Sequence, residues 1–103
     1  MDEFGPDDLD LAVTFYRSIA DPAARAVLDF LIDHPEERFD GAAIAHQLDL
    51  PRHRDVARAT YALGEAAAAL GRKRPWGEGQ LGYLMPAAQA ALLGEARARA
   101  TGR

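Results

Sequence analysis

The sequence contains no cysteine, and among its 103 residues it has one serine and one tryptophan. Without cysteine the chain can form neither a disulfide nor a thiolate zinc site, and thiol catalysis is excluded. Its apolar stretches are rich in alanine and interrupted by charge, so none of them predicts a membrane span. The acidic start lacks the basic region of a signal peptide. We therefore expect a cytoplasmic protein.

Length and composition predict one globular domain. Shares of 49% hydrophobic and 27% charged residues are typical of a folded chain, and this length allows one modest core. Residues 1–8 contain Gly5, Pro6 and four acids, a composition that predicts a mobile lead-in. We expect a single domain over residues 9–99 and a frayed tail over residues 100–103.

The net charge of −4 hides a difference between the two halves of the chain. Residues 1–50 carry a net charge of −9, whereas residues 51–103 carry +5. The total charge argues against nucleic acid as the partner, but such asymmetry is also a hint of an interaction surface. Chance variation in the charge of helix faces is the alternative explanation. The location of the cations on the fold decides between them.

Apolar periodicity, helix caps and prolines predict a mainly helical fold with a small hairpin. The predicted helices cover residues 9–20, 22–34, 41–48, 51–70 and 87–98. Asp8, Asp21 and Asp40 are the predicted caps of the first three. Arg38 and Phe39 predict a very short strand, and residues 72–76 and 81–85 predict two strands around a turn at 77–80. Gly64 costs about 1 kcal/mol of helix propensity relative to alanine, so we expect a close helix contact there.

Residues 39–63 meet the requirements of two helices that cross steeply through a tight turn. The first helix offers the small Ala45 at the crossing point. The turn offers Asp49, a residue type that tolerates left-handed backbone. On the second helix Val56 and Leu63 are spaced for burial on one face. These features predict a helix-turn-helix that is followed by a β-hairpin.

The stretch FDGAAIAHQLDLPRHRDVARATYAL resembles the winged helix-turn-helix regulators, notably the families grouped around the multiple-antibiotic-resistance and arsenic repressors. The resemblance covers roughly residues 22–85. The phrases DPAARAVLDFLIDHPEERF and GRKRPW are also similar to small uncharacterised actinobacterial winged-helix proteins. The resemblance implies a bacterial winged helix-turn-helix protein with extra helices at both termini.

In those families the second helix of the motif lies in the DNA major groove, which here implies the helix of residues 51–70. Its candidate DNA-contacting residues are Arg52, His53, Arg54, Arg58 and Tyr61. Arg54, Arg58 and Tyr61 are expected on its outer face, at spacings of four and three. Arginine can bind guanine through two hydrogen bonds, so Arg54 or Arg58 is the candidate for base recognition. The alternative is that both arginines form only the solvated face of a helix.

The densest basic run is Arg72, Lys73 and Arg74, at the start of the predicted hairpin. The winged-helix resemblance implies that this run contacts phosphate, whereas a charged edge strand without a ligand is the alternative. Glu78 at the hairpin tip would repel phosphate, so we expect the tip to stay out of a DNA groove. Trp76 and Tyr83 are expected to pair across the hairpin or to pack on the core.

Regulators of this type bind DNA as pairs, with two recognition helices in adjacent major grooves about one helical turn apart. We expect the terminal helices to form a homodimer, because Leu11 and Phe15 lie on a second side of the first helix. The predicted dimer residues are Val13, Phe15, Tyr16, Ile19, Leu92 and Leu93.

No pattern of catalytic residues is present in the sequence. His34, His46 and His53 are too scattered for a metal motif, and Ser18 has no histidine nearby in sequence. The glycine-rich GEGQLG lacks the lysine and the helix of a phosphate-binding loop. We therefore predict no enzyme, no cofactor and no bound metal.

These observations predict a transcriptional regulator that binds double-stranded DNA. The competing hypothesis is a winged-helix fold used for protein–protein contact, with the acidic first half as the docking surface. Salt dependence of DNA binding separates the two hypotheses.

Overall fold

The computed structural model describes residues 1–79 and 82–102. Along the described chain the elements are α1 (Leu9–Ser18), α2 (Pro22–Asp33), β1 (Arg38–Phe39), α3 (Gly41–Gln47), α4 (His53–Ala69), β2 (Gly77–Gly79), β3 (Gly82–Leu84) and α5 (Ala87–Ala100). The fold is mainly helical with a small antiparallel sheet, as predicted. None of the helices in these two stretches combines the length and the apolarity that crossing a membrane requires.

Side-chain caps start two helices where the sequence predicted them. The carboxylate of Asp21 accepts a hydrogen bond from the backbone N–H of Ala24 at 3.1 Å, and Asp40 accepts one from Ala43 at 2.7 Å. Each bond satisfies a donor that the first turn of a helix leaves unpaired. Asp8, which was expected to cap α1, makes no such bond. Its carboxylate instead accepts from the N–H of Gly5 and binds a distant arginine.

A tight turn joins α3 to α4. Asp49 has a φ of 55°, the left-handed conformation predicted for it. The N–H of Leu50 donates to the carbonyl of Ala45 at 2.9 Å and closes the turn. Val56 and Leu63 are fully buried, so α4 is anchored by the apolar face that the sequence indicated. The packing of α4 against α2 and α3 fixes its opposite face toward solvent.

The three strands form a sheet in the order β1-β3-β2, with both pairings antiparallel. Tyr83 in the central strand lies opposite Phe39 on one side and Glu78 on the other. Gly82 has a φ of +104°, and a β-carbon there would lie 2.3 Å from the carbonyl oxygen of Phe39. A glycine is therefore required where β1 meets β3.

The prediction of the first hairpin strand at residues 72–76 is wrong. The strand is Gly77–Gly79, within the predicted turn, whereas residues 72–76 form an irregular connection with one bridge from Arg72 to Asp2. Pro75 lacks the backbone N–H that a strand would use, and Trp76 is buried in the core. This segment therefore packs on the core instead of pairing with β3. Gln80 and Leu81, where the predicted turn ends and the next strand begins, lie outside the described residues.

Residues 1–8, predicted to be a mobile lead-in, are packed on the domain, and we call them the N-terminal strap. Phe4 is 1% exposed, and its ring centroid lies 5.2 Å from that of Phe15. The carbonyl of Phe4 accepts a hydrogen bond from Nε2 of Gln89 at 2.7 Å. The carbonyl of Asp2 accepts one from the N–H of Lys73 at 2.9 Å. A single aromatic anchor outweighs the loop-like composition.

At the other end of the chain, α5 continues to Ala100, beyond the predicted boundary. The N–H of Thr101 donates to the carbonyl of Arg97. Of the predicted frayed tail, Ala100 is therefore the last residue of the helix and Thr101 caps it. Arg103 lies outside the described residues.

The predicted dimer surface is used mainly inside the chain. Helices α1 and α5 pack against each other. Four of the six predicted dimer residues are buried in the core: Phe15, Tyr16, Ile19 and Leu93. The prediction failed for them because it treated α1 as a helix with one buried face, whereas α5 and the N-terminal strap cover its second side. Val13 and Leu92 are partly exposed.

Candidate nucleic-acid interface

Helix α4 has one buried face and one exposed face. Its buried residues are Val56, Ala59, Thr60, Leu63 and Ala67. Arg54, Arg58 and Tyr61 are exposed on the other side, at the spacing of four and three that was predicted. The hydroxyl of Thr60 donates to the carbonyl of Ala57 at 3.0 Å and is satisfied within the helix.

Among the four predicted basic contacts, Arg52, His53, Arg54 and Arg58, only Arg52 forms an ion pair with another described residue. In the described part of the chain neither Arg54 nor Arg58 forms an ion pair. Arg52 lies 3.4 Å from the carboxylate of Asp55, with its own side chain 51% exposed. His53 is exposed at the first position of the helix. Arg54 and Arg58 therefore present two guanidinium groups one turn apart on a rigid element.

Tyr61 is one of the few large apolar side chains on the surface, at 71% exposed. A hydrogen bond from the phenol to the carboxylate of Glu65 raises the pKa of Tyr61. Because Glu65 engages the phenol O–H, Tyr61 offers the exposed face of α4 an aromatic ring and an acceptor oxygen.

The basic run after α4 is engaged by acids of the same chain. Arg72 binds both carboxylate oxygens of Asp8, at 3.0 and 3.1 Å. This hydrogen bond raises the pKa of Arg72. The pKa of Asp8 is lowered, first by the bond from Arg72 and then by the bond from the N–H of Gly5. Arg74 lies 3.3 Å from Glu78. Among these three cations, only Lys73 has no acidic partner in the described stretches.

These contacts change the expected role of the run. Arg72 binds Asp8 of the N-terminal strap to the segment that follows α4, so the contact it makes is structural. Sequence spacing could not show this, because Asp8 and Arg72 are separated by 64 positions. Lys73 is exposed and remains a candidate for phosphate contact.

The two aromatic residues of the hairpin region do not pair with each other across the strands. Trp76 precedes β2 and is 4% exposed, and its Nε1–H donates to Glu78 at 2.7 Å. Tyr83 is half-buried in the central strand. Both residues pack on the core, one of the two outcomes that the sequence left open.

A groove of about 830 Å³ lies beside the exposed face of α4. Its lining includes Tyr61 from α4, the N-terminal strap, and residues 72–78. Tyr61 and the basic run thus line the same groove. The close helix contact predicted at Gly64 is wrong, because a β-carbon there would meet no atom within 4 Å. Gly64 lines the groove instead. A glycine inside a helix was therefore the one feature of the sequence that pointed to the groove.

The remaining polar candidates have local partners. Nδ1 of His34 lies 2.8 Å from the carbonyl of Phe30, and its ring packs against Phe30 and Phe39. The hydroxyl of Ser18 donates to the carbonyl of Phe15 at 2.7 Å. Over residues 1–79 and 82–102, no three His, Cys, Asp or Glu side chains are grouped in a way that could hold a metal ion.

Comparison with known proteins places the chain in one family. The model of a family of unknown function, DUF6416, matches residues 9–100. The chain belongs to DUF6416. The match covers the five helices and the sheet of the described residues, so the α4 face and the basic run are both within the DUF6416 region. No match was found among curated proteins or among solved structures.

Proposed function

We propose that this DUF6416 protein is a transcriptional regulator that binds double-stranded DNA by placing α4 in the major groove. The observation that carries the proposal is the pair Arg54 and Arg58, exposed and free of described acidic partners, on a helix whose other face is anchored in the core. Rigid presentation matters, because base recognition needs side chains held at a fixed distance from the groove floor.

The order of the elements supports a winged helix-turn-helix as the fold behind this function. From α2 onward the chain runs helix, strand, helix, helix and hairpin, the order that the resemblance to winged-helix regulators implies. In this proposal α3 and α4 are the helix-turn-helix, and β2 with β3 is the wing. Glu78 lies in this wing, opposite Tyr83. Because its carboxylate repels phosphate, we expect the wing to make little contact with the DNA backbone.

The proposed contacts divide into base recognition and phosphate binding. Arg54 or Arg58 meets guanine through two parallel hydrogen bonds in the major groove. Arg52 and His53 lie at the start of α4, where the helix dipole also favours an anion, and they contact phosphate. Lys73 adds a backbone contact from the segment that follows α4.

The acidic half of the chain gives less support to the competing role as a protein-docking surface. Half of the twelve acids in residues 1–50 bind groups of the same chain: Asp8, Asp21, Asp29, Asp33, Glu36 and Asp40. Arg97, for example, lies 3.4 Å from Asp29 and 2.7 Å from Asp33. Much of the negative charge is therefore used to hold the fold together.

The proposal includes two copies on the DNA, with their α4 helices in adjacent major grooves. Because four of the predicted dimer residues are buried in the core, the surface between copies has to use the outer sides of α1 and α5. Val13 and Leu92 are partly exposed there.

Binding of a labelled mixed-sequence duplex at 50 and 200 mM salt tests the DNA-binding proposal. We expect affinity that falls more than about tenfold over this range, since each phosphate contact releases counterions. The double variant Arg54→Ala/Arg58→Ala should lose at least about tenfold in affinity at the lower salt.

The control for net charge is Arg38→Ala, which removes one positive charge from an exposed position on β1, outside the surfaces proposed for DNA and for the second copy. We expect Arg38→Ala to bind within about twofold of the wild type, whereas Arg54→Ala and Arg58→Ala should each bind more weakly. Equal losses in the three single variants would show that only net charge matters. No binding by the wild type at 50 mM salt would reject the proposal and favour the protein-docking hypothesis.

A further inference from the structure

The groove beside α4 has the size and the lining of a small-molecule site. Its volume of about 830 Å³ is within the range of about 300–1,000 Å³ that is usual for ligand pockets. Aromatic and proline side chains contribute to its walls, among them Tyr61, Trp76, Tyr83 and Pro86. Such walls favour a flat apolar occupant.

Exposed apolar surface is concentrated at this groove. In the described part of the chain the exposed large hydrophobic side chains are Met1, at 70%, and Tyr61, at 71%. Both line the groove, although they are separated by sixty positions in the sequence. Their convergence marks a surface where burial by a ligand would remove apolar area from water.

Gly64 enlarges the groove at the middle of α4. Glycine is less favourable than alanine in a helix interior. Here neither a left-handed backbone nor a crowded neighbour requires it, because a β-carbon would find open space. The missing side chain leaves room above the helix, between Tyr61 and the strap.

A buried acceptor in the lining has no partner. Gln89 is 6% exposed, and its Nε2 donates to the carbonyl of Phe4. Its Oε1 is buried and accepts no hydrogen bond from any group in the described stretches of the chain. Buried oxygens of this kind are nearly always paired in native proteins. The Gln89 side chain contributes to the groove lining, so a small rotation of its amide would offer this oxygen to a donor in the groove.

We propose that the groove binds a planar aromatic small molecule that carries an N–H or O–H donor. The ring stacks against Tyr61 and fills the space above Gly64, and the donor bonds Oε1 of Gln89. This inference does not require the chain to bind DNA. The ligand test below is done without DNA, so its result is independent of the outcome of the DNA-binding experiment.

Indole and 1-methylindole form a matched pair of probes, because they share a flat ring and differ in the N–H donor. The chain has a single tryptophan, Trp76, which lines the groove. Its Nε1–H should therefore give one indole signal in a ¹H–¹⁵N spectrum, assignable without further labelling. Titration with millimolar indole should move that signal saturably. We expect 1-methylindole to bind roughly three- to tenfold more weakly, the cost of one unmade hydrogen bond.

Two substitutions on α4 test the location. A β-carbon at Gly64 meets no atom within 4 Å, so Gly64→Leu should extend into the groove and weaken indole binding at least about tenfold. Ala68→Leu, on the exposed surface outside the lining, should leave indole binding unchanged. Tyr61→Ala, at an exposed position, is the second variant if Gly64→Leu does not fold. No saturable shift, or full binding in the groove variants, would overturn the site. Equal affinities for the two probes would overturn the assignment of Gln89 as the acceptor.

Discussion

Gly82 is the residue at which the backbone of the sheet is least tolerant of a side chain. In Gly82→Ala the new β-carbon would meet the Phe39 carbonyl oxygen at 2.3 Å, at a φ of +104° that L residues rarely adopt. We expect a loss of about 2 kcal/mol or more in the free energy of unfolding, measured by urea denaturation.

Gly79 is the matched control, since it pairs with Gly82 across the hairpin and a β-carbon there meets nothing within 4 Å. Gly79→Ala should change the unfolding free energy by less than about 0.5 kcal/mol. Similar losses in both variants would contradict the close approach of β1 to β3.

The ion pair between Asp8 and Arg72 predicts a specific pH dependence. The pKa of Asp8 lies below its ordinary value of 3.8, first because of Arg72 and then because of the Gly5 N–H. The unfolded chain therefore binds the Asp8 proton more readily than the folded chain does. The stabilisation is present above pH 3.8 and is lost as the pH falls through the lowered pKa.

We expect Asp8→Asn to be less stable than the wild type at neutral pH, with a difference that shrinks below about pH 4. Urea unfolding at a series of pH values measures this. Asp7→Asn, at an exposed neighbouring position, should keep the wild-type dependence. A constant difference between Asp8→Asn and the wild type from neutral to acid pH would contradict the proposed role of the ion pair.

Among the elements, the N-terminal strap is the one whose stability depends most on a single side chain. Phe4→Ala removes a buried ring beside Phe15, so we expect a loss of about 3 kcal/mol in unfolding free energy. Hydrogen exchange at the N–H of Lys73, which donates to Asp2, should accelerate. Glu3→Ala, at an exposed neighbour, is the control. Unchanged protection of Lys73 in Phe4→Ala would show that the strap does not need its anchor.

The helices were the most predictable elements. Asp21 and Asp40 bind the N–H groups three residues on, as their positions before Pro22 and Gly41 indicated. The faces of α4 also followed the predicted spacing, because helical periodicity is a local property. The position of β2 was not predictable in the same way. It depends on where Trp76 enters the core and on Asp2 bridging to Arg72, and both are contacts between distant parts of the chain.

For the whole molecule, the oligomeric state tests the proposal of two copies on DNA. We expect light scattering at micromolar concentration to give twice the chain mass of 11.2 kDa. Leu92→Glu should yield single chains, because a charge would be desolvated at the interface. Ala68→Glu, on the exposed surface of α4, is the charge-matched control. A single-chain mass for the wild type would reject a stable dimer.

The sequence by itself determined the helical content, the side-chain caps of α2 and α3, the left-handed turn at Asp49 and the cationic face of α4, because each depends on residues within one or two turns of one another. Only the tertiary structure decided which charges and apolar groups are available. It pairs Arg72 with Asp8, buries Phe15 and Leu93 in one chain, and opens a groove over Gly64. The physical reason is that availability is set by contacts between residues far apart in sequence, and local periodicity carries no information about such partners.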